Sequence, residues 1–519
     1  MSREVRRAGG VALTGLDGTA VMVEAAVSQQ LPGMAIIGLP DTALAEAKLR
    51  VRTATAQSGV PLTDRFLTVN LSPADLPKQG SGFDLAIALA ALAASGRLPD
   101  GRLTETAHLG ELGLDGGLRR PAGLLAATVA ARALGFRRVM VPEEAGGEAA
   151  LVPDIEVIAA RDLAGAIAWH AGEPDGWRTV AHEAPALDPQ GPSREAVAAI
   201  DMADVIGQPE AVEALVIAAA GGHHVSMLGP PGAGKTMLAS RLPTILPDLS
   251  PEDSLTASSI AALGGVPLAT LVHRPPFEAP HHTASAVSII GGGDGASVRP
   301  GAITRACHGV LFLDEAPEFP RSVLDALRQP LESRVIEIHR ARLRTSLPAS
   351  IQLVLAANPC PCGNAGSPDT AEECRCSPIM RVRYLQRLSG PLTDRIDLRL
   401  TVRRISSVLL GTHDESRPSS AALRARVVAA RRHAAARLAS TPWSVNAQVH
   451  GTWLRGPAGR LPRADTAVID RALARGALTM RGYDRVLRVA WSISDLAGRE
   501  RPGRGEVAQA LLLRGSDAS

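Results

Sequence analysis

The stretch "HVSMLGPPGAGKTMLASRL", His224 to Leu242, decides how the chain is read. An apolar run of strand length leads into a Gly- and Pro-rich loop, and a helix-forming segment follows. Gly229, Gly234, Lys235 and Thr236 fit the pattern G-x-x-x-x-G-K-[ST]. Glycines there let backbone N–H groups turn onto phosphate oxygens, and the following helix aims its positive end at the same charge. The loop therefore assigns Gly229, Pro230, Pro231, Gly232, Ala233, Gly234, Lys235, Thr236 and Met237 to ATP binding. Lys235 is expected on the β- and γ-phosphates, with the Thr236 hydroxyl on Mg²⁺. The chain has only three lysines among 55 basic residues, namely Lys48, Lys78 and Lys235. A compact ammonium on a flexible stem suits an enclosed loop where a planar guanidinium does not.

Working outward, "GVLFLDEAPEF" is an apolar strand ending in Asp314 and Glu315. Asp314 is expected to hold Mg²⁺ and Glu315 to polarise the attacking water. "IQLVLAANP" is a further buried strand, ending in Asn358. That amide either orients the water or initiates a turn before Pro359. "LSGPLTDRIDLRL" places Arg395 between Asp394 and Asp397, as a local ion pair or as an arginine finger for a neighbouring subunit. "LTMRGYDRVLRVAW" puts Arg481 at a helix start, where it would close over the nucleotide, with Arg485 and Arg488 near the same face.

Composition sets the frame. The 519 residues are 45% hydrophobic and 21% charged, as for a chain with large buried cores. The longest apolar run, "LAIALAALAA" from Leu85, is too short for a bilayer. The basic N-terminus has no apolar run behind it, so a cytoplasmic protein with no membrane partner is expected. Net charge is +3, yet residues 403–519 carry 20 Arg against 9 Asp and Glu. That excess fits a nucleic-acid-facing surface or a solvated Arg-rich helical domain. The helix around Arg424, Arg426, Arg431 and Arg432 is the candidate face.

The expected fold class is α/β in three parts. Residues 1–172 alternate strands and helices, with a hairpin at Asp115-Gly116-Gly117. Residues 173–193 read as a Pro- and Gly-rich linker. Residues 194–402 form a parallel sheet with helices on both faces, and 403–519 form a helical lid. No repeat of 20–50 residues is visible.

This ordered set of motifs resembles the AAA+ ATPases of the magnesium-chelatase-like group, and over nearly its whole length the chain resembles the ComM/YifB family. "DVIGQPEAVEAL" is similar to the segment beside adenine, with Ile206, Gly207 and Gln208 contributing. "FEAPHHTASAVSIIGGG" resembles the group's helix insert, and "LESRVIEIHRARLRTSLPA" its β-hairpin. The resemblance implies a homo-hexameric ring, ATP at subunit interfaces, Arg395 acting in trans, and branch migration or unwinding of branched or single-stranded DNA. Two alternatives stand beside it: an ATPase subunit of a metal chelatase inserting Mg²⁺ into a tetrapyrrole, and a nucleotide-binding scaffold. The Lon-like front domain speaks against the chelatase, because such subunits resemble only the AAA+ part.

"LPKQGSGFDLAIALAALAASG" resembles the Lon proteolytic domain, a ribosomal protein S5 domain 2-like fold. Lon pairs a Ser with a Lys, but no lysine lies between Lys78 and Lys235, and arginine cannot act as the base. A proteolytically inactive domain follows. Cys360, Cys362, Cys374 and Cys376 form C-x-C, eleven residues, C-x-C. They make either a closed structural Zn²⁺ site or a reduced, unliganded cluster. His281 and His282 read as polar or DNA-facing rather than metal-binding.

Overall fold

The structure is a computed structural model that describes residues 5–515 apart from 30, 39–40, 63–64, 74–80, 183–199, 265–266, 294–297, 341–342, 366–372, 389 and 405–416. The front part is built on an eight-stranded mixed sheet. Its spine is the antiparallel hairpin Arg6–Thr14 with Asp17–Ser28, which turns at Gly15 in the left-handed region (φ 70°). Helix Asp84–Ala94 lies against it. Its sequence, DLAIALAALAA, is buried nearly all round, which small Ala side chains permit. The Glu111–Leu112 and Leu118–Arg119 pair forms the expected small hairpin. The stretch expected as linker differs. Trp177–Val180 pairs antiparallel with Glu156–Ala160 as the sheet's edge strand. An edge strand of four residues, half exposed, has no apolar alternation by which to announce itself. Residues 183–193 of that stretch lie outside the described residues.

The central part is a five-stranded parallel sheet in the order Phe277–Glu278, Val310–Leu313, Gln352–Ala357, Val225–Leu228, Leu398–Thr401. Every residue of Val310–Leu313 and Gln352–Ala357 is buried, as strands covered on both faces require. Helices Pro209–Gly221 and Lys235–Ile245 cover the sheet. Open sheets of this kind bind ligands beyond the carboxyl ends of their strands.

The lid contributes helices Ser420–Leu438, Arg463–Ala474, Met480–Leu496 and Arg504–Leu513. It shares one continuous core with the central sheet: Leu423, Val427, Val486 and Trp491 join Val225, Leu238 and Leu398. The front part is docked too. Leu255 and Ala262 of helix Pro251–Ala262 pack with Leu124 and Leu125 of the front sheet's helix Leu124–Ala133. Thr345 of hairpin 335–348 donates to the Thr14 carbonyl at 2.7 Å. Among the described residues no helix is long and apolar enough to cross a membrane.

Candidate nucleotide site and cysteine cluster

The loop 229–236 leaves the carboxyl end of strand Val225–Leu228, and its shape is set by glycines. Gly232 and Gly234 have φ of 74° and 88°, open only to residues without a Cβ clash. A Cβ on Gly229 would lie 2.2 Å from the Val402 carbonyl oxygen, so the loop is clamped against the strand beside it. Lys235 is buried and donates to the carbonyls of Gly229 (2.6 Å) and Pro230 (3.0 Å) and to Asn358 Oδ1 (3.0 Å). Burial lowers its pKa, opposed by Asp314 and Glu315. Two neighbouring strand ends thus meet at one ammonium.

The Thr236 hydroxyl donates to Asp314 Oδ2 at 2.7 Å, and Asp314 Oδ1 accepts the Glu315 N–H at 2.9 Å. Glu315 itself sits at φ 50°, an uncommon conformation for a residue with a side chain. Gln208 caps the site from behind, donating to the Ala233 carbonyl at 2.7 Å, with Oε1 buried and unpartnered. Ile206 and Gly207 precede it at the start of helix Pro209–Gly221, and Met237 packs against the core beneath the loop. A loop shaped by left-handed glycines, a buried ammonium, and a hydroxyl paired with a carboxylate form the donor set that suits a nucleotide triphosphate with Mg²⁺.

Two contacts of the site escape a reading of the sequence, which makes His282 a polar or DNA-facing residue. His282 Nδ1 lies 3.4 Å from Glu315 Oε2. The insert strand Phe277–Glu278 runs parallel beside Val310–Leu313, and that pairing carries the histidine to the acidic strand end. Arg404 Nε donates to the Pro231 carbonyl at 3.0 Å. Neither has a local motif; only the strand order reveals them.

Arg395 and Arg481 are not brought to this loop within one chain. Arg395 precedes strand Leu398–Thr401, at the amino end of the sheet and so opposite to the loop, and pairs with Glu332 at 2.5 Å. Arg481 lines a cavity of about 510 Å³ at that same end, with Gly222, His224, Glu332, Arg334 and Asp397. The Arg-rich helix is also used differently from the DNA-facing candidate. Arg431 donates to the Ala219 carbonyl (2.7 Å), Arg424 to that of Thr244 (2.6 Å), and Arg426 pairs with Glu213 (2.8 Å). These three tie the C-terminal helices to the central part, and Arg432 is exposed.

The four cysteines of 360–376 converge, with their sulfur atoms all within 4.8 Å of one another. Cys360 lies 3.3 Å from Cys362 and 3.7 Å from Cys374, and Cys362 lies 3.6 Å from Cys374. Tetrahedral Zn–S bonds of about 2.3 Å put sulfurs about 3.8 Å apart, close to this spacing. The Ala365 N–H and Arg381 Nη2 point at Cys360 and Cys374 sulfurs, each at 3.4 Å, as outer partners of a thiolate cluster would. The cluster is compatible with a Zn²⁺ site. In the front part, Lys78 lies outside the described residues.

The fold and this loop define a P-loop protein of the magnesium-chelatase-like AAA+ class, and comparison with known proteins agrees. Residues 201–409 match the family described as magnesium chelatase, subunit ChlI, and 417–514 its C-terminal part. Residues 23–145 match a family described as subunit ChlI of Mg-chelatase. An uncharacterised protein of Mycobacterium tuberculosis strain H37Rv is 44% identical over 516 residues, 99% of each chain. The YifB protein of Escherichia coli K12 is 38% identical, covering 98% of this chain and 96% of its own. The competence protein ComM of Haemophilus influenzae is 37% identical, covering 96% and 95%. The chain belongs to the ComM/YifB family of magnesium-chelatase-like proteins.

Proposed function

We propose that this chain is a Mg²⁺-dependent ATP hydrolase that assembles into a ring, with a homo-hexamer as the expected form, and drives branch migration or unwinding of DNA joint molecules. The observation that carries the hydrolase reading is the meeting of Lys235, Asn358, Thr236, Asp314 and Glu315 at one end of the sheet. The Lys235 ammonium and the inward N–H groups of 229–236 would bind the β- and γ-phosphates. Thr236 and Asp314 would hold Mg²⁺, whose charge offsets that developing on the phosphate oxygens. The Glu315 carboxylate accepts the proton of the attacking water, and the Asn358 amide orients that water. Ile206, Gly207 and Gln208 flank the base.

The ring reading rests on separation. Arg395 and Arg481 lie beyond the amino ends of the strands while the P-loop lies beyond the carboxyl ends, roughly 10 Å or more away at the usual strand rise. Two arginines on one face and a triphosphate site on the other form complementary halves for a head-to-tail assembly. In that arrangement Arg395, with Arg481 beside it, completes the neighbour's site in trans. The four cysteines hold a structural Zn²⁺, since a four-thiolate set leaves no open position for chemistry. The front domain is a non-proteolytic assembly or DNA-handling module, and the protein works in the cytoplasm.

The DNA substrate is supported by the family and by the competence name borne by one relative. The chelatase alternative keeps a specific observation in its favour. The front segment 23–145, expected to set this chain apart from such subunits, also matches a family described by subunit ChlI. The deciding assay is unwinding of a branched, labelled DNA by purified protein with ATP and Mg²⁺, with Lys235→Ala as control. The proposal expects strand separation by wild type alone and ATP turnover stimulated by DNA. No remodelling and no stimulation would reject the DNA motor; tetrapyrrole metallation with added partner subunits would establish the chelatase.

A further inference from the structure

The cysteine cluster is built from two limbs, and both return to the nucleotide site. The first limb leaves strand Gln352–Ala357 through Asn358, the residue hydrogen-bonded to Lys235, and reaches Cys360 and Cys362 within four residues. The Gly363 N–H closes this turn on the Cys360 carbonyl at 3.0 Å. Gly363 has φ 81°, and a Cβ there would lie 2.5 and 2.6 Å from Cγ and Cδ of Pro231. The backbone of the cysteine turn therefore rests on the P-loop itself. The second limb runs from Cys374 and Cys376 into helix Pro378–Leu385, where Arg381 ties Cys376 O (3.1 Å) to the Cys374 sulfur. Just past that helix, Arg387 pairs with Glu318 at 3.3 Å, three residues beyond Glu315.

We propose that metal bound by these cysteines is a positioning element of the ATP site: the loaded cluster holds the 358–363 turn against Pro231 and fixes the Asn358 amide on Lys235. This rests on reading the cluster as a zinc site and adds a function to it. Residues 358–365 have no regular secondary structure of their own, and the cluster and the P-loop contact both bear on their path. When the metal leaves, the turn loses the anchor that the four sulfurs give it. Pro231 loses the surface it rests on, and Asn358 loses its fixed distance to Lys235. ATP binding and turnover then fall together with metal content, which makes the motor responsive to zinc supply. Asn358 and Gly363 act here through the loop, as positioning residues.

The test uses the full chain, purified under reducing conditions, with zinc measured by atomic emission and ATP affinity by a fluorescent ATP analogue. Wild type is compared before and after treatment with a zinc chelator, and after zinc is restored. Gly363→Ala is examined with its zinc in place, and circular dichroism reports the fold of each sample. The expected result is about one zinc per chain and an affinity for the analogue that drops tenfold or more on stripping, the scale of outer-shell effects at metal sites. Restored zinc recovers it. Gly363→Ala keeps its zinc and its circular dichroism spectrum yet shows a similar loss, which a merely stabilising cluster would not produce. Under about half a zinc per chain overturns the zinc reading and the inference with it. Full zinc with equal affinities in wild type, stripped protein and Gly363→Ala overturns the inference and leaves the zinc site standing.

Discussion

Asp397 is buried at the amino end of strand Leu398–Thr401, where it accepts from Arg485 Nη1 at 2.5 Å and from the His224 N–H at 3.2 Å. Burial would raise its pKa, but Arg485 first and His223 next outweigh that and hold it well below the usual carboxylate range. Removing the arginine would leave a buried charge without its partner. Arg485→Ala should therefore cost about 3–5 kcal/mol of unfolding free energy, read from urea denaturation. Asp397→Asn in the same chain should recover part of it. Sequence reading placed Arg485 near the face of Arg481 but could not give it this task. Its partner is 88 residues away and is joined to it only by the fold. Lys235, Thr236, Asp314 and Glu315 were legible because a P-loop and an apolar strand with an acidic end are local patterns. His282 was not, because its pairing with Glu315 depends on which strands are neighbours.

At the scale of elements, strand Thr106–His108 and helix Leu163–Ala171 meet through two buried histidines. His108 Nδ1 lies 2.9 Å from the Gly9 carbonyl, which can only accept, so that nitrogen carries the proton. Its Nε2 then accepts from His170 Nε2 at 3.1 Å, and both rings are neutral. Burial pushes His108 down to about 4, and burial with His108 and Arg102 pushes His170 down to about 2. Unfolded histidines titrate near 6.5, so the unfolded chain takes up these protons first as pH falls. The front domain should lose stability below about pH 6.5, continuing to about 4 for His108. His108→Gln should flatten that dependence, seen as thermal midpoints between pH 7 and pH 5. The strands and helices of this domain were readable from β-branched and Ala/Leu-rich runs. The edge strand Trp177–Val180 was not, since four half-exposed residues carry no period. The Arg-rich helix misleads for a related reason. Charge marks it as a surface, yet Arg424 and Arg431 spend their donors on carbonyls of the ATPase domain.

At the scale of the whole molecule, the three parts form one body in which the lid shares the ATPase core and the front sheet is packed on helix Pro251–Ala262. This leaves the P-loop facing one way, with Arg395 and Arg481 at the other end of the sheet. The central claim is that hydrolysis needs a second chain to supply Arg395. Mixing tests it directly. Lys235→Ala and Arg395→Ala proteins should each be nearly inactive, the latter by about 10³-fold or more if its arginine serves as a finger. Combined in equal amounts and allowed to reassemble, they should regain about a quarter of wild-type ATP turnover, because a random ring joins an intact P-loop to an intact arginine at that frequency. A mixture no more active than its components, or an Arg395→Ala protein that turns over ATP like wild type, would contradict the account.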